Sequence, residues 1–139
     1  MPIVKQLTVL IENKPGALAD ICSILALKKI NIFAFSVADT IDTALLRIVV
    51  SDPTSAKAIL KEAGHTVLEN EVLMVDMPNR PGALAESTRQ LSKARINIEY
   101  AYGSVGVEEG KGIGILWVSD LKKASEIVGE WSKSVALSH

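Results

Sequence analysis

The chain has 139 residues, 48% of them hydrophobic but only 4% aromatic, and a formal net charge of −1. That composition suits a close-packed aliphatic interior and excludes a disordered chain. The scattered charges form no basic stripe for nucleic acid or an anionic membrane.

In chain order, Lys5 to Ile11 alternates, with Leu7, Val9 and Ile11 on one face, and predicts a strand. Asn13-Lys14-Pro15-Gly16 breaks it and opens a helix whose stripe is Leu18, Ile21, Cys22 and Leu25. Ile30 to Val37, rich in β-branched and aromatic residues, predicts a second strand, Asp39 to Thr43 a turn, and Leu45 to Val50 a third strand. Ser51-Asp52-Pro53 starts the next helix, which carries Ala56, Ile59, Leu60 and Ala63 and ends at Gly64. His65 to Leu68 predicts a fourth strand.

The order then begins again. Val72 to Met77 is a strand, about Pro81 to Ala94 a helix, and Ile98 to Gly103 and Ile113 to Val118 two strands. Asp120 caps a helix with Leu121, Ala124, Ile127, Val128 and Trp131, and Val135 to Leu137 is a short last strand. Each half is therefore β-α-β-β-α-β, the split βαβ of ferredoxin-like folds, an α+β class with helices on one face of an antiparallel sheet. The expected domains are residues 1–69 and 70–139, with only Glu69 and Asn70 between the units, so no flexible linker.

The repeat is literal. Asn13-Lys14-Pro15-Gly16-Ala17-Leu18 returns as Asn79-Arg80-Pro81-Gly82-Ala83-Leu84, and Ile30-Asn31-Ile32 as Ile96-Asn97-Ile98. Both keep one offset, 79 − 13 = 97 − 31 = 66, while Val50-Ser51-Asp52 and Val118-Ser119-Asp120 differ by 68. Two motifs at a fixed distance mark two copies of one unit. Units of roughly 70 residues bury little core alone, so they should pack on one another or on a second copy.

The turn carries the chemistry. Glycine, lacking Cβ, lets a ligand approach the backbone. The first helical N–H groups have no partner within the helix and attract a carboxylate. The amide of Asn13 or Asn79 both donates and accepts, matching a ligand that carries ammonium and carboxylate together. The same turn is also a competent helix start with no ligand. Asn31 and Asn97, kept in both copies at a strand start, tip the reading towards binding.

This combination, Asn-(Lys/Arg)-Pro-Gly-Ala-Leu, a helix, then Ile-Asn-Ile, resembles the ACT domain, over both units and nearly the whole chain. The resemblance implies the βαββαβ fold, binding of an amino acid or other small metabolite, regulation of amino-acid metabolism, and side-by-side pairing with ligands at the pair interface. The motif looks most like that of the serine-binding regulatory domain of 3-phosphoglycerate dehydrogenase. By that likeness the loop contribution falls on Asn13 and Gly16, or on Asn79 and Gly82, within the candidate ligand-binding segments Asn13, Lys14, Pro15, Gly16, Ala17 and Leu18, and Asn79, Arg80, Pro81, Gly82, Ala83 and Leu84. The neighbouring unit would contribute Asn31 with Ile32, or Asn97 with Ile98. One position departs: the ligand-contacting histidine two residues before the loop asparagine is Ile11 or Met77 here, which points away from serine to a more apolar amino acid.

Other signals fail. Gly110-Lys111 lacks the glycine and the Ser or Thr of a P-loop, and no helix follows Gly114 to make a dinucleotide turn. One cysteine and two distant histidines give no thiol–imidazole pair and no metal-ligand spacing, and Cys22 reads as core. Tyr100 and Tyr102 lack the basic-aromatic setting of RNA-binding sheets and read as interface residues, with Trp117 and Trp131 as core or interface. No apolar stretch is long enough to span a bilayer, the N-terminus has no signal-peptide pattern, and a lone Cys22 allows no internal disulfide, which suits a cytoplasmic protein.

The expectation is a regulatory protein without catalytic residues, cofactor or metal. Its partners are a small amino acid, a second copy of the chain as a homodimer, and a metabolic enzyme that it regulates, but not nucleic acid or membrane. The rival is an interaction module with no small ligand, in which Phe33, Phe35, Tyr100 and Tyr102 meet a partner protein.

Overall fold

A computed structural model of the protein describes residues 3–78, 80–104 and 112–128. Asn79, most of the glycine-rich hairpin, Trp131 and the strand expected at Val135 to Leu137 lie outside the described residues. Contacts divide the chain into two compact units, Lys5–Asn70 and Met1–Val4 with Glu71–His139.

In the first unit β1 (Ile3–Glu12) leads through the turn to α1 (Ala17–Leu27), then β2 (Ile32–Thr40), β3 (Thr43–Val50), α2 (Pro53–Glu62) and the start of β4 (Thr66–Met77). β1 and β2 flank β3, both antiparallel to it, with Leu7 opposite Ile48 and Phe35 also opposite Ile48. The period-two pattern sends Leu7, Val9 and Ile11 to one face, where they meet Leu46 and Ile48 of β3, Ile21 and Leu25 of α1, and Ala56 and Leu60 of α2. Both helices therefore cover one face of an antiparallel sheet, as the sequence predicts. Asp52 caps α2 by accepting from the Ser55 N–H at 3.1 Å, with Pro53 at the first helical position.

The second unit repeats the order with α3 (Ala83–Lys93), β5 (Ile98–Ser104), β6 (Gly112–Val118) and a helix over residues 121–128. β6 pairs antiparallel with β4 on one side and β5 on the other. Its core joins Leu73, Val75 and Met77 to Leu91, Leu116, Ala124 and Val128. Where the first unit buries Ile21, this one buries Ser87, whose hydroxyl donates to the Leu84 carbonyl at 3.1 Å and so meets the cost of its polarity.

Three expectations need correction. The strands predicted at His65 to Leu68 and Val72 to Met77 are one strand, because Glu69 and Asn70 carry no glycine or proline to turn the chain. Asn70 instead sits in strand register and accepts from the Gln6 amide at 3.2 Å. Cys22 is half-buried and outside the core cluster, the stripe of α1 being Ile21 and Leu25 with Ala17, Leu18 and Ile24 packed beside them. The helix expected from Pro81 starts at Ala83, after a left-handed Gly82.

Candidate functional site

The two turns are built alike, as far as both are described. Gly16 and Gly82 take the left-handed conformation, φ 89° and 88°, open to glycine without steric cost. Each is the N-cap of its helix, and neither helix start has a side-chain cap. A Cβ added at either glycine meets nothing within 4 Å, so space lies open beside both helix N-termini. The backbone bonds match: Lys14 and Arg80 donate to the Glu12 and Pro78 carbonyls, both at 3.0 Å, and Ala17 and Ala83 to the Lys14 and Arg80 carbonyls.

The side chains differ. Asn13 Nδ2 donates to the Ile41 carbonyl at 3.1 Å and its N–H to the Asp42 carbonyl at 3.0 Å, tying the turn to the β2–β3 hairpin. Lys14 pairs with Glu12 at 3.2 Å on the surface. Arg80 instead reaches Glu86 in the first turn of α3, 2.7 Å from its carboxylate, and this partner raises the guanidinium pKa further above its ordinary value. Arg80 thereby satisfies the carboxylate at its own helix start, whereas Asp20 holds that place in the first unit.

The Asn-Ile motif has a structural duty that its sequence does not announce. The Asn31 N–H donates to Ser51 Oγ at 2.9 Å and the Asn31 carbonyl accepts from the Ser51 N–H at 2.9 Å. Asn97 and Ser119 repeat both bonds at the same distances. Ile30 and Ile96 are buried at the ends of α1 and α3, each donating its N–H to a leucine carbonyl, Leu25 or Leu91. The backbone of the motif thus locks strand to strand, while both asparagines are exposed.

Within one unit the turn and the asparagine do not meet. Glu12 and Thr40 both pair with Thr43 at one end of the sheet, whereas Ile32 pairs with Val50 at the other. Thr43 and Val50 are 50 − 43 = 7 steps apart, which at ~3.3 Å each puts the two ends roughly 23 Å apart. The second unit has the same layout, with Met77 opposite Gly112 at the turn end and Ile98 opposite Val118 at the far end.

Hollows lie near both motifs. In the first unit a groove of about 670 Å³ runs beside α1, touching Lys14, Ala17, Asp20, Ile24 and His65. In the second, an open depression of about 430 Å³ touches Arg95, Asn97 and Ile98. A smaller one of about 230 Å³ lies between Met77, Leu84, Ala101 and Gly114, next to the turn. Sequence reading missed this last hollow, although setting the two repeats side by side carries its signal. Among the described residues there is no group of three or more His, Cys, Asp or Glu able to hold a metal ion, and no helix is long and apolar enough to cross a membrane.

The family described as an ACT domain pair matches residues 2–136. The chain belongs to the ACT domain family. A crystal structure of a protein from Bacteroides thetaiotaomicron is 33% identical with a TM-score of 0.86, covering 93% of this chain and 88% of that one. The regulatory subunit of aspartate kinase from Thermus thermophilus, in a ligand-free form, shares the fold at 15% identity and a TM-score of 0.66, covering 89% of this chain and 87% of that one. Aspartate kinase from Synechocystis shares it too, at 16% identity and a TM-score of 0.60, covering 95% of this ACT pair and 26% of the longer enzyme. No curated protein matches the sequence.

Proposed function

We propose that this ACT pair is a non-catalytic sensor that binds a small amino acid and regulates a metabolic enzyme. The observation that carries the reading is the turn itself: twice, a left-handed glycine opens a helix with no side-chain cap and open space in front of it. The ligand carboxylate would lie at the N-terminus of α1 or α3, near Gly16 or Gly82. The donor side of the Asn13 amide is engaged by Ile41, so its oxygen is the group suited to a ligand ammonium. Asn31 or Asn97 of a neighbouring unit would complete the site, since the asparagine of the same unit stands at the far end of its strands. A homodimer provides such a neighbour.

The likeness to the serine-binding domain of 3-phosphoglycerate dehydrogenase supports the pose but not the ligand. Ile11 and Met77, in place of histidine, are both buried in their cores and offer no hydrogen bond. A more apolar amino acid than serine follows. The likeness to the regulatory subunit of aspartate kinase from Thermus thermophilus supports a regulatory role for this chain.

Calorimetry and thermal melting across the common amino acids test this reading. Binding tighter than millimolar, or about −4 kcal/mol, is expected for at least one. If none reaches that, the sensor reading falls to the interaction module. One observation favours that second reading: Phe33, Phe35 and Val37 are all exposed on β2.

A further inference from the structure

Aligning the two repeats by sequence and strand register shows three positions on one face of the sheet that carry smaller residues in the second unit. Phe35, Val37 and Leu46 of the first unit correspond to Ala101, Gly103 and Gly114 of the second. The registers agree: Val37 faces Leu46 and Phe35 faces Ile48, while Gly103 faces Gly114 and Ala101 faces Leu116. Leu46 is 1% exposed and fills the first unit at this place. In the second unit the hollow of about 230 Å³ opens there, lined by Met77, Leu84, Ala101, Gly103, Gly114 and Leu116 among others.

One of these small residues has an independent cause. A Cβ on Gly103 would collide with the Ile113 carbonyl, so the strand itself requires glycine. Gly114 has no such need. Its Cβ would stand 3.3 Å from Met77 Cε, the end of a flexible side chain, and 3.4 Å from Val75 Cγ2, close to ordinary contact, and its φ is not left-handed. Nor does the backbone demand alanine at 101. An apolar surface left open by small residues gains free energy when an apolar group covers it. The lining of the hollow is mostly apolar, so an apolar group seated there removes that surface from water. At about 230 Å³ it is smaller than the roughly 300–1,000 Å³ of sites for drug-sized ligands, and suits one side chain. Its position names the ligand. Met77 ends β4 just before the turn, and Leu84 is the second residue of the helix that Gly82 caps.

We propose that this hollow is the side-chain subsite for an aliphatic amino acid of about leucine's size, present in the second unit and occupied by the Leu46 side chain in the first. The inference rests on the amino-acid-binding reading and adds ligand class and stoichiometry to it. A ligand carboxylate at the start of α3 leaves its side chain to pass between Met77 and Leu84 onto Ala101 and Gly114.

Calorimetry on the full chain with glycine, alanine, valine, leucine and asparagine tests it. Affinity should rise about fourfold per added methylene, the equivalent of ~0.8 kcal/mol, with one site per chain. Leucine should bind far more tightly than asparagine, which has a similar shape but a polar end. Gly114→Leu, which restores the first unit's residue, should abolish leucine binding while a circular dichroism spectrum stays native. Gly114→Ala, the milder change, should weaken it severalfold. Should Gly114→Leu not fold, the wild-type series and Gly114→Ala decide. Affinities indifferent to side-chain size, two equal sites per chain, or leucine binding untouched by either variant would overturn the subsite and leave the sensor reading standing. Absence of binding by every amino acid would overturn both.

Discussion

Ile41, at the tip of the β2–β3 hairpin, has φ 70° and a side chain 86% exposed. A β-branched residue is poorly suited to this left-handed region, which costs an L-residue about 1–2 kcal/mol. Its carbonyl is the acceptor for Asn13 Nδ2, so the strained residue is also the one that holds the turn asparagine. Ile41→Asn should keep that carbonyl in place and stabilise the chain by about 1 kcal/mol, seen as a higher urea midpoint; an unchanged or lower midpoint would show that the conformation carries no strain. Asp52 permits a pH prediction. Hydrogen bonds from the Ser55 side chain and then its N–H lower the Asp52 pKa below the ordinary aspartate value. A carboxyl with a depressed folded pKa stabilises above its unfolded value, and that contribution is lost as pH falls through the folded pKa. Asp52→Ala should therefore lower the melting temperature at pH 7, with the gap to wild type closing on acidification below about pH 4. An equal gap at pH 7 and pH 2 would contradict the capping role. The aspartate cap was legible because its partner is three residues away. Asn13's bond to Ile41 was not, because that partner is 28 residues away across a hairpin.

At the scale of elements, local patterns gave the helices and strands, and failure came where two polar residues imitated a boundary. Glu69 and Asn70 resemble a turn in one dimension, yet strand alternation carries them through β4 without a break. The Val-Ser-Asp repeat shows the same limit. Asp52 and Asp120 cap their helices as the sequence predicts, accepting from Ser55 and Lys123. Ser51 and Ser119 have another duty, each exchanging two bonds with an asparagine 20 or 22 residues upstream. Removing one hydroxyl leaves an asparagine N–H to find water instead. Ser51→Ala or Ser119→Ala should each cost about 0.5–1.5 kcal/mol, measured by urea unfolding, while the aspartate caps remain. A neutral outcome for both would mean that water replaces the hydroxyl without loss. The hollow beneath Leu84 was missed for a related reason. Ala101 and Gly114 are remote in sequence, and only their cross-strand neighbours bring them onto one patch.

For the whole molecule, the repeat made the fold readable, since every element of one half could be checked against the other. It could not show how a site is completed, because that depends on which unit stands beside which turn. The strand register puts each turn and each Asn-Ile motif at opposite ends of its own unit. If a second copy of the chain supplies the missing asparagine, ligand and dimer are linked. Binding free energies are reciprocal: whatever factor the dimer adds to amino-acid affinity, the amino acid must add to dimer affinity. A ligand that binds the assembled state alone, present at a hundred times its dissociation constant, would favour that state by about 2.7 kcal/mol, close to a hundredfold. Sedimentation equilibrium with and without the tightest-binding amino acid should therefore show a stronger dimer in its presence. Asn31→Ala and Asn97→Ala keep the backbone bonds to Ser51 and Ser119, so they should leave the free dimer unchanged. The one that completes the site should reduce the ligand's effect. A dimer whose strength ignores the ligand, in wild type and in both variants, would exclude a second copy as the source of the asparagine.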